Sequence, residues 1–347
     1  MKIALINDSH FGARNDSSIF LNHFVDFYEN TFFPFCEEND IKNVIHLGDF
    51  FDRRKYVNFN TLSEVRTKIL NRFESSNIKV HLLLGNHDTF YKNTNKINSP
   101  KELLSSYSNM KIYEKAEDVS FDDLNICLVP WINPENKEET LSYVSKSNSP
   151  IACGHFELNG YEVMRGVQFQ GGMSDSFLKR FELVLSGHFH NKNSKKNVVY
   201  LGTQYQITFS DLNDSKGFHL LDTTTRELEF IENDNRMFYS IEYDDDLDMV
   251  IDDKYKNKFI RVIVQNKKDN NKFENFVQKL YDIEVADLSI VEDYSLLDND
   301  ESDIDLQKNT LDLVLESVDL FETSVNKNEL KTKLKSLYME ALKNESD

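Results

Sequence analysis

The sequence predicts an α/β fold: two packed β-sheets flanked by helices, followed by a small α/β unit and a C-terminal pair of helices. Three observations carry this. Five short apolar runs, at residues 3–6, 44–47, 80–84, 151–153 and 183–185, have the length of buried strands, and each ends in a polar turn. Helical periodicity fills the gaps between them: Ile19, Phe20, His23, Phe24, Phe27 and Tyr28 recur at three-to-four spacing, as do Leu62, Val65, Ile69 and Phe73. From about Asn125 strand-like segments become denser, at 197–201, 217–221 and 228–231, and predict the second sheet.

The first domain is expected to span residues 1–240. An acidic stretch, Tyr243-Asp244-Asp245-Asp246-Leu247-Asp248, marks its end. A strand at 259–264, a helix at 273–281 and a strand at 286–291 then make a small unit at about 255–295. The acidic, apolar-poor segment around 298–303 reads as a linker over 296–307. Residues 308–347 form two amphipathic helices. Leu311, Val314, Leu315, Val318 and Phe321 line the first, and Leu330, Leu334, Leu337, Tyr338 and Leu342 the second. Those stripes must bury against the chain's own domain or against a partner protein.

The polar turns carry the chemistry. In order they read Asp8-Ser9-His10, Gly48-Asp49, Gly85-Asn86-His87-Asp88, Gly154-His155 and Gly187-His188-Phe189-His190. Any one of them occurs by chance, but five in sequence, each at a strand's carboxyl end, converge where open α/β sheets place their sites. Together they offer carboxylate, imidazole and amide groups, enough for two divalent cations sharing one carboxylate. Such a pair, about 3.5–4 Å apart, clamps a phosphate. The expected activity is metal-dependent phosphoester hydrolysis. The remaining histidines, His23, His46, His81 and His219, read as packing or surface residues.

Composition narrows the setting. The net charge of −19 argues against a nucleic-acid substrate until its distribution is considered. Residues 241–347 hold 27 acidic and 14 basic residues, so residues 1–240 hold 32 and 26. Basic residues cluster beside the motifs: Arg14, Arg53, Arg54 and Lys55, Lys92 and Lys96, and Lys192, Lys195 and Lys196. Because screening limits distant charge to about 8–10 Å, such a rim can bind phosphates on an acidic protein. Ordinary lysine-rich loops are the other reading. Three cysteines without metal-ligand spacing fit reduced thiols in a cytoplasm. No apolar run reaches the roughly 18 residues of a membrane span. There is no Gly-x-x-x-x-Gly-Lys-Ser/Thr loop, so any use of ATP falls to a partner.

The order and types of these motifs resemble the calcineurin-like metallophosphoesterases over residues 1–222. That resemblance implies one metal held by Asp8, His10, Asp49 and His190, and a second held by Asp49, Asn86, His155 and His188. Asp49 bridges, and His87 acts on the scissile phosphate rather than on metal. It implies two divalent ions, Mn²⁺ first and Mg²⁺ next. Among family members the layout is similar to the SbcD-type nucleases of DNA repair and their phage recombination branch. Gly85-Asn86-His87-Asp88 followed by Tyr91-Lys92-Asn93, Val129-Pro130-Trp131, Gly154 to Gly160, Gly202-Thr203 and Lys216-Gly217-Phe218 carry that likeness.

By the same likeness DNA is the substrate, contacted by Arg53, Arg54, Lys55, Lys92, Lys195 and Lys196. The small unit caps it, the terminal helices dock on an SMC-like ATPase, and the nuclease domains form a homodimer. A phage-encoded chain would work in the host bacterial cytoplasm. One departure stands out: Asp52 occupies a position where many cellular members carry histidine. It matches instead the Gly-Asp-x-x-Asp-Arg pattern of Ser/Thr phosphatases, seen as Gly48-Asp49-Phe50-Phe51-Asp52-Arg53. By that likeness Asp52 orients His87 and favours its protonated form. The alternatives are a calcineurin-like protein or small-molecule phosphatase, and a scaffold with a vestigial site.

Overall fold

Strands covered on both sides are apolar on both faces, and the motif-bearing strands of the computed structural model follow that rule. In β1 (Lys2–Ile6) all but the first residue is buried. β2 (Asn43–His46), β3 (Lys79–Leu83) and β4 (Met110–Tyr113) run parallel beside it. β5 (Glu117–Phe121) and β6 (Leu124–Val129) form an antiparallel hairpin that starts the second sheet. β7 (Ile151–His155) adds parallel to β6. A separate hairpin, β8 (Glu162–Met164) and β9 (Val167–Gln168), precedes β10 (Leu183–Gly187), which lies parallel to β7. β11 (Asn193–Lys195) and β12 (Val198–Tyr200) complete that sheet, in the order β11-β12-β10-β7-β6-β5.

β13 (Gly217–Asp222) and β14 (Leu228–Glu232) correct the sequence reading. They return to the first sheet, whose order is β14-β13-β1-β2-β3-β4. β13 pairs antiparallel with β1, Leu5 opposite His219 and Lys2 opposite Asp222, and so fills what would be an open ladder edge on β1. Apolar patterning marks a strand but not the sheet it joins.

The two six-stranded sheets face each other through Ile3, Leu5, Ile45, Leu47, Leu83, Ile126, Leu128, Ile151, Cys153 and Leu185. The outer face of the first sheet buries an aromatic-rich layer under two long helices. One runs through Ser18–Phe27, Tyr28–Phe32 and Phe33–Glu38, the other through Phe59–Val65, Arg66–Leu70 and Asn71–Ser75. Each turns π-helical in its middle segment. His23, His46 and His219 are buried in the fold, and His81 shares a hydrogen bond with the Tyr113 hydroxyl (2.7 Å). All three cysteines are free and buried.

A third sheet, β15 (Phe238–Asp244), β16 (Phe259–Asn266) and β17 (Asp287–Val291), carries the helix Asn270–Asp282. Tyr243, Ile260, Val262, Phe273, Phe276 and Leu280 form its own small core. The sheet begins at Phe238, upstream of the acidic stretch that the sequence offers as a boundary. The structure describes residues 1–292 other than Arg165, together with Lys327 and Lys333. The linker expected at 296–307 and the helices expected at 308–347 otherwise lie outside the described residues. Among the described residues no helix is long and apolar enough to cross a membrane.

Candidate metal centre

All five motifs meet at the carboxyl ends of β1, β2, β3, β7 and β10. Tight turns there bend the ligands back across the strand ends: Asp8, His10, Asp49 and His188 all have positive φ, at 47°, 44°, 55° and 89°. Each such residue costs of order 1–3 kcal/mol, a strain that concentrates at functional sites. The second and third turns touch. A Cβ on Gly48 (φ 95°) would sit 2.7 Å from Gly85 N and His155 Nδ1, and one on Gly85 would sit 2.1 Å from Asp49 Oδ1. Only glycine fits at either place.

Two ligand sets result. Asp8, His10 and His190 form one, and Asp49, His155 and His188 the other, with the donor atoms of each set within 4.8 Å of one another. His10 Nε2 lies 3.1 Å from His190 Nε2. Asn86 Oδ1 lies 2.9 Å from His155 Nε2 and 3.0 Å from His188 Nδ1. One oxygen, Asp49 Oδ2, stands 3.8 Å from His10 Nε2 and 3.4 Å from His155 Nε2. The other, Oδ1, accepts the His87 amide at 2.7 Å.

The outward ring nitrogens fix the tautomers. His155 Nδ1–H donates to the Leu47 carbonyl (2.7 Å), His10 Nδ1–H to Asp52 Oδ1 (3.1 Å), and His188 Nε2 faces Glu157 Oε1 (3.5 Å). Partners of this kind orient metal-ligating imidazoles and raise their basicity. The inward nitrogens of His155 and His188 are thereby left as lone pairs aimed at Asn86 Oδ1, and that of His10 as a lone pair aimed at His190 Nε2. Acceptors face acceptors, an arrangement that a cation satisfies, and the nitrogen–oxygen donor set fits Mn²⁺, Fe or Zn²⁺ better than Ca²⁺.

Without a cation, protons take that place. Burial works against a charged His155, but Asp49 and Asp8 carry it up to about 9. His10 rises to about 9 against its burial, through the Asp52 hydrogen bond and the charges of Asp49 and Asp8. His190 falls to about 4, by burial first and then by the charge on His10. Asp49 is held well below the usual carboxylate range despite its burial, chiefly by His155 and His87.

Asp52 departs from its expected role. Its carboxylate goes to His10, while its main-chain carbonyl accepts His87 Nδ1–H at 2.5 Å. The His87 ring packs edge-on to His10, with centroids 4.9 Å apart. Burial lowers the pKa of His87 and outweighs the charges of Asp49 and Asp52, which favour its protonated form as the sequence suggests. A backbone carbonyl holds a ring without adding a charge to it.

The basic residues divide. Arg53 is tied to Asp16 (2.7 Å) and Asn15 (2.8 Å), Lys196 to Asp175 (2.7 Å), and Lys195 to the Gly160 carbonyl (3.0 Å). Arg54 reaches Thr89 Oγ1 at 3.3 Å. Lys55 and Lys92 are exposed and have no carboxylate partner among the described residues.

The roles of several supporting residues are not legible in the sequence, although Asp88, Trp131 and Lys216 lie within its motifs. Asp88 accepts four backbone N–H groups, from Gly85 (2.8 Å), Asp49 (2.8 Å), Phe50 (3.0 Å) and Phe51 (3.3 Å), and so staples the second turn to the third. Asn7 joins Asp8 to the Gly202 carbonyl. Buried Lys216 donates to the His190 carbonyl (2.8 Å) and pairs with Asp211 and Asp214. The Trp131 ring lies 5.9 Å from His155 and 5.6 Å from His188, centroid to centroid. For all of these residues, and for Glu157, a place beside or inside a motif is the only signal in the sequence.

Two sheets delivering mixed carboxylate, amide and imidazole ligands to one cleft define a metal-dependent hydrolase of phosphoesters. The chain belongs to the calcineurin-like phosphoesterase family, whose model matches residues 1–192. It is 34% identical over 311 residues to exonuclease subunit 1 of Enterobacteria phage T4, covering 88% of this chain and 89% of that one. Among solved structures it is similar to an archaeal phosphodiesterase (TM-score 0.35, 16% identity, 67% of this chain and all of that one). A purple acid phosphatase from yellow lupin seeds gives a TM-score of 0.40 at 16% identity, over 67% of this chain and 51% of that one.

Proposed function

We propose that this chain is a two-metal DNA nuclease, the catalytic subunit of a larger recombination and repair machine. The observation that carries the two-metal reading is the placement of Asp49 Oδ2 between the two ligand sets, within 4 Å of an inward nitrogen of each. Asp8, His10, Asp49 and His190 hold the first ion, and Asp49, Asn86, His155 and His188 the second. Bound there, a divalent pair supplies Lewis acidity, drawing charge from phosphate oxygens and activating water at neutral pH.

The chain's own residues do the rest. With Nδ1–H held on the Asp52 carbonyl, His87 offers Nε2, which must first take up a proton, against the pull of its burial, before it can pass one to the leaving oxygen. Asp88 holds the Asp49 and Asn86 turns at fixed separation. Arg54, Lys55 and Lys92, in the turns that carry Asp52 and His87, receive the neighbouring phosphates.

The name of the phage T4 relative, an exonuclease subunit, supports nuclease activity and a partner subunit. The amphipathic stripes of residues 308–347 dock on an SMC-like ATPase, the small three-stranded unit caps the DNA, and two nuclease domains pair as a homodimer. Manganese is the working metal. Hydrolysis of linear duplex DNA compared with a phosphopeptide, with Mn²⁺ and after chelation, tests this reading. Mn²⁺-dependent DNA cleavage without release of phosphate from the peptide is the expected result. The reverse would make the chain a protein phosphatase.

A further inference from the structure

The turns after the second and third motifs combine two features. Several exposed cations of this acidic chain are held by carboxylates, Lys101 by Glu114, Lys111 by Glu117, Lys115 by Glu139 and Arg72 by Glu37. Lys55 and Lys92 are not, and each stands next to an exposed aromatic ring, Tyr56 at 60% and Tyr91 at 52% exposure. Neither ring hangs free. Arg53, itself anchored to Asp16, lies 4.9 Å from the centre of the Tyr56 ring, and Phe90 packs edge-on to Tyr91 at 4.7 Å. The Arg54–Thr89 hydrogen bond joins the two turns, which also carry Asp52 and His87. Phe59 is more exposed still, but it opens a helix and has no cation or ring backing it among the described residues.

Exposed aromatic rings cost solvation, and backed rings beside unpaired cations match the way proteins hold unpaired nucleotides, with bases stacked on rings and phosphates on cations. We infer that Tyr56 and Tyr91 are the specificity-determining residues of this site, stacking unpaired bases next to the scissile phosphate while Lys55 and Lys92 hold the adjoining backbone. This rests on the nuclease reading and adds to it a requirement for the base itself.

The test uses the metal-loaded full chain, a phosphorothioate single strand that resists cleavage, and the same strand built from abasic units. Fluorescence anisotropy reads affinity. Tyr56→Ala and Tyr91→Ala should each weaken the base-bearing strand about five-fold or more and leave the abasic strand as it was, and Phe at either position should restore binding. Lys55→Ala with Lys92→Ala should weaken both strands alike and flatten the salt dependence. Ala variants that bind both strands as wild type does, or weaken both equally, overturn the stacking role, as does failure of Phe to rescue. A Tyr56→Ala variant that changes the association state of the chain instead of its base dependence assigns the ring to a second copy of the chain, and also overturns it. Wild-type protein that binds neither strand also overturns the inference, and the nuclease reading itself then stands or falls separately, on cleavage of duplex DNA.

Discussion

Stripping the cations and then raising the pH should destabilise the protein, and the metal-loaded form should escape this. In the cation-free centre His10 and His155 are carried from 6.5 to about 9. Both side chains are buried, at 4% and 0% exposure, so solvent screens them little. A folded-state pKa above the unfolded value means that the folded chain binds the proton more tightly. The resulting stabilisation is fully present below about pH 6.5 and is lost as pH rises through about 9. A shift of this size corresponds to about 3 kcal/mol on each ring. Because both rings lean on Asp49, the pair should yield about 3–5 kcal/mol rather than the simple sum. Urea unfolding of metal-free and metal-loaded protein at pH 7 and pH 9.5 measures it, with the loaded form cancelling every titration outside the centre. Equal stability of the metal-free protein at both pH values, or an equal loss in both forms, would refute the linkage.

Asp49→Asn removes the oxygen common to both ligand sets and should lower metal content at both sites while abolishing turnover; full occupancy by elemental analysis with undiminished hydrolysis would contradict the bridging role. His87→Ala should keep both metals and lose about 10²–10⁴-fold in turnover, whereas Asp52→Asn, acting through His10, should weaken binding of one metal. Wild-type affinity in the Asp52 variant would detach its carboxylate from the metal centre. Asp88→Asn turns an amide NH₂ toward two backbone N–H donors whichever way it rotates, and should cost about 2–6 kcal/mol; an unshifted urea midpoint would remove the staple. Deleting residues 306–347 should abolish co-purification with an ATPase partner and leave metal-dependent cleavage in place, and a large fall in melting temperature would instead mean that the segment packs on its own domain.

The motif-bearing strands were legible because each is a short apolar run ending in a turn whose residue types are costly to carry without a use. The helices were legible because their aromatic stripes repeat at helical spacing. What stayed hidden depends on pairing between distant segments. Nothing in the composition of residues 217–222 says that they return to β1, since any buried strand would read alike. Asp52 was assigned to His87 by pattern, and the two are indeed neighbours. Which atoms of Asp52 meet which ring is set by the turn's backbone path, and sequence does not encode that locally. Arg53 looked like a phosphate contact until Asp16, 37 positions earlier, proved to hold it.

The two ends of the first ligand set lie far apart along the chain, Asp8 near the start and His190 after β10, and Lys216 and β13 follow later still. At a synthesis rate of about 5–20 residues per second, roughly 10–40 seconds separate the emergence of the first ligand from that of the last. During that interval the nascent chain has an incomplete ligand set and no closed site, and β1 lacks its antiparallel neighbour. A ribosome that stalls or drops off before about residue 190 releases a harmless fragment. A closed site is therefore carried only by copies extended past His190 and β13.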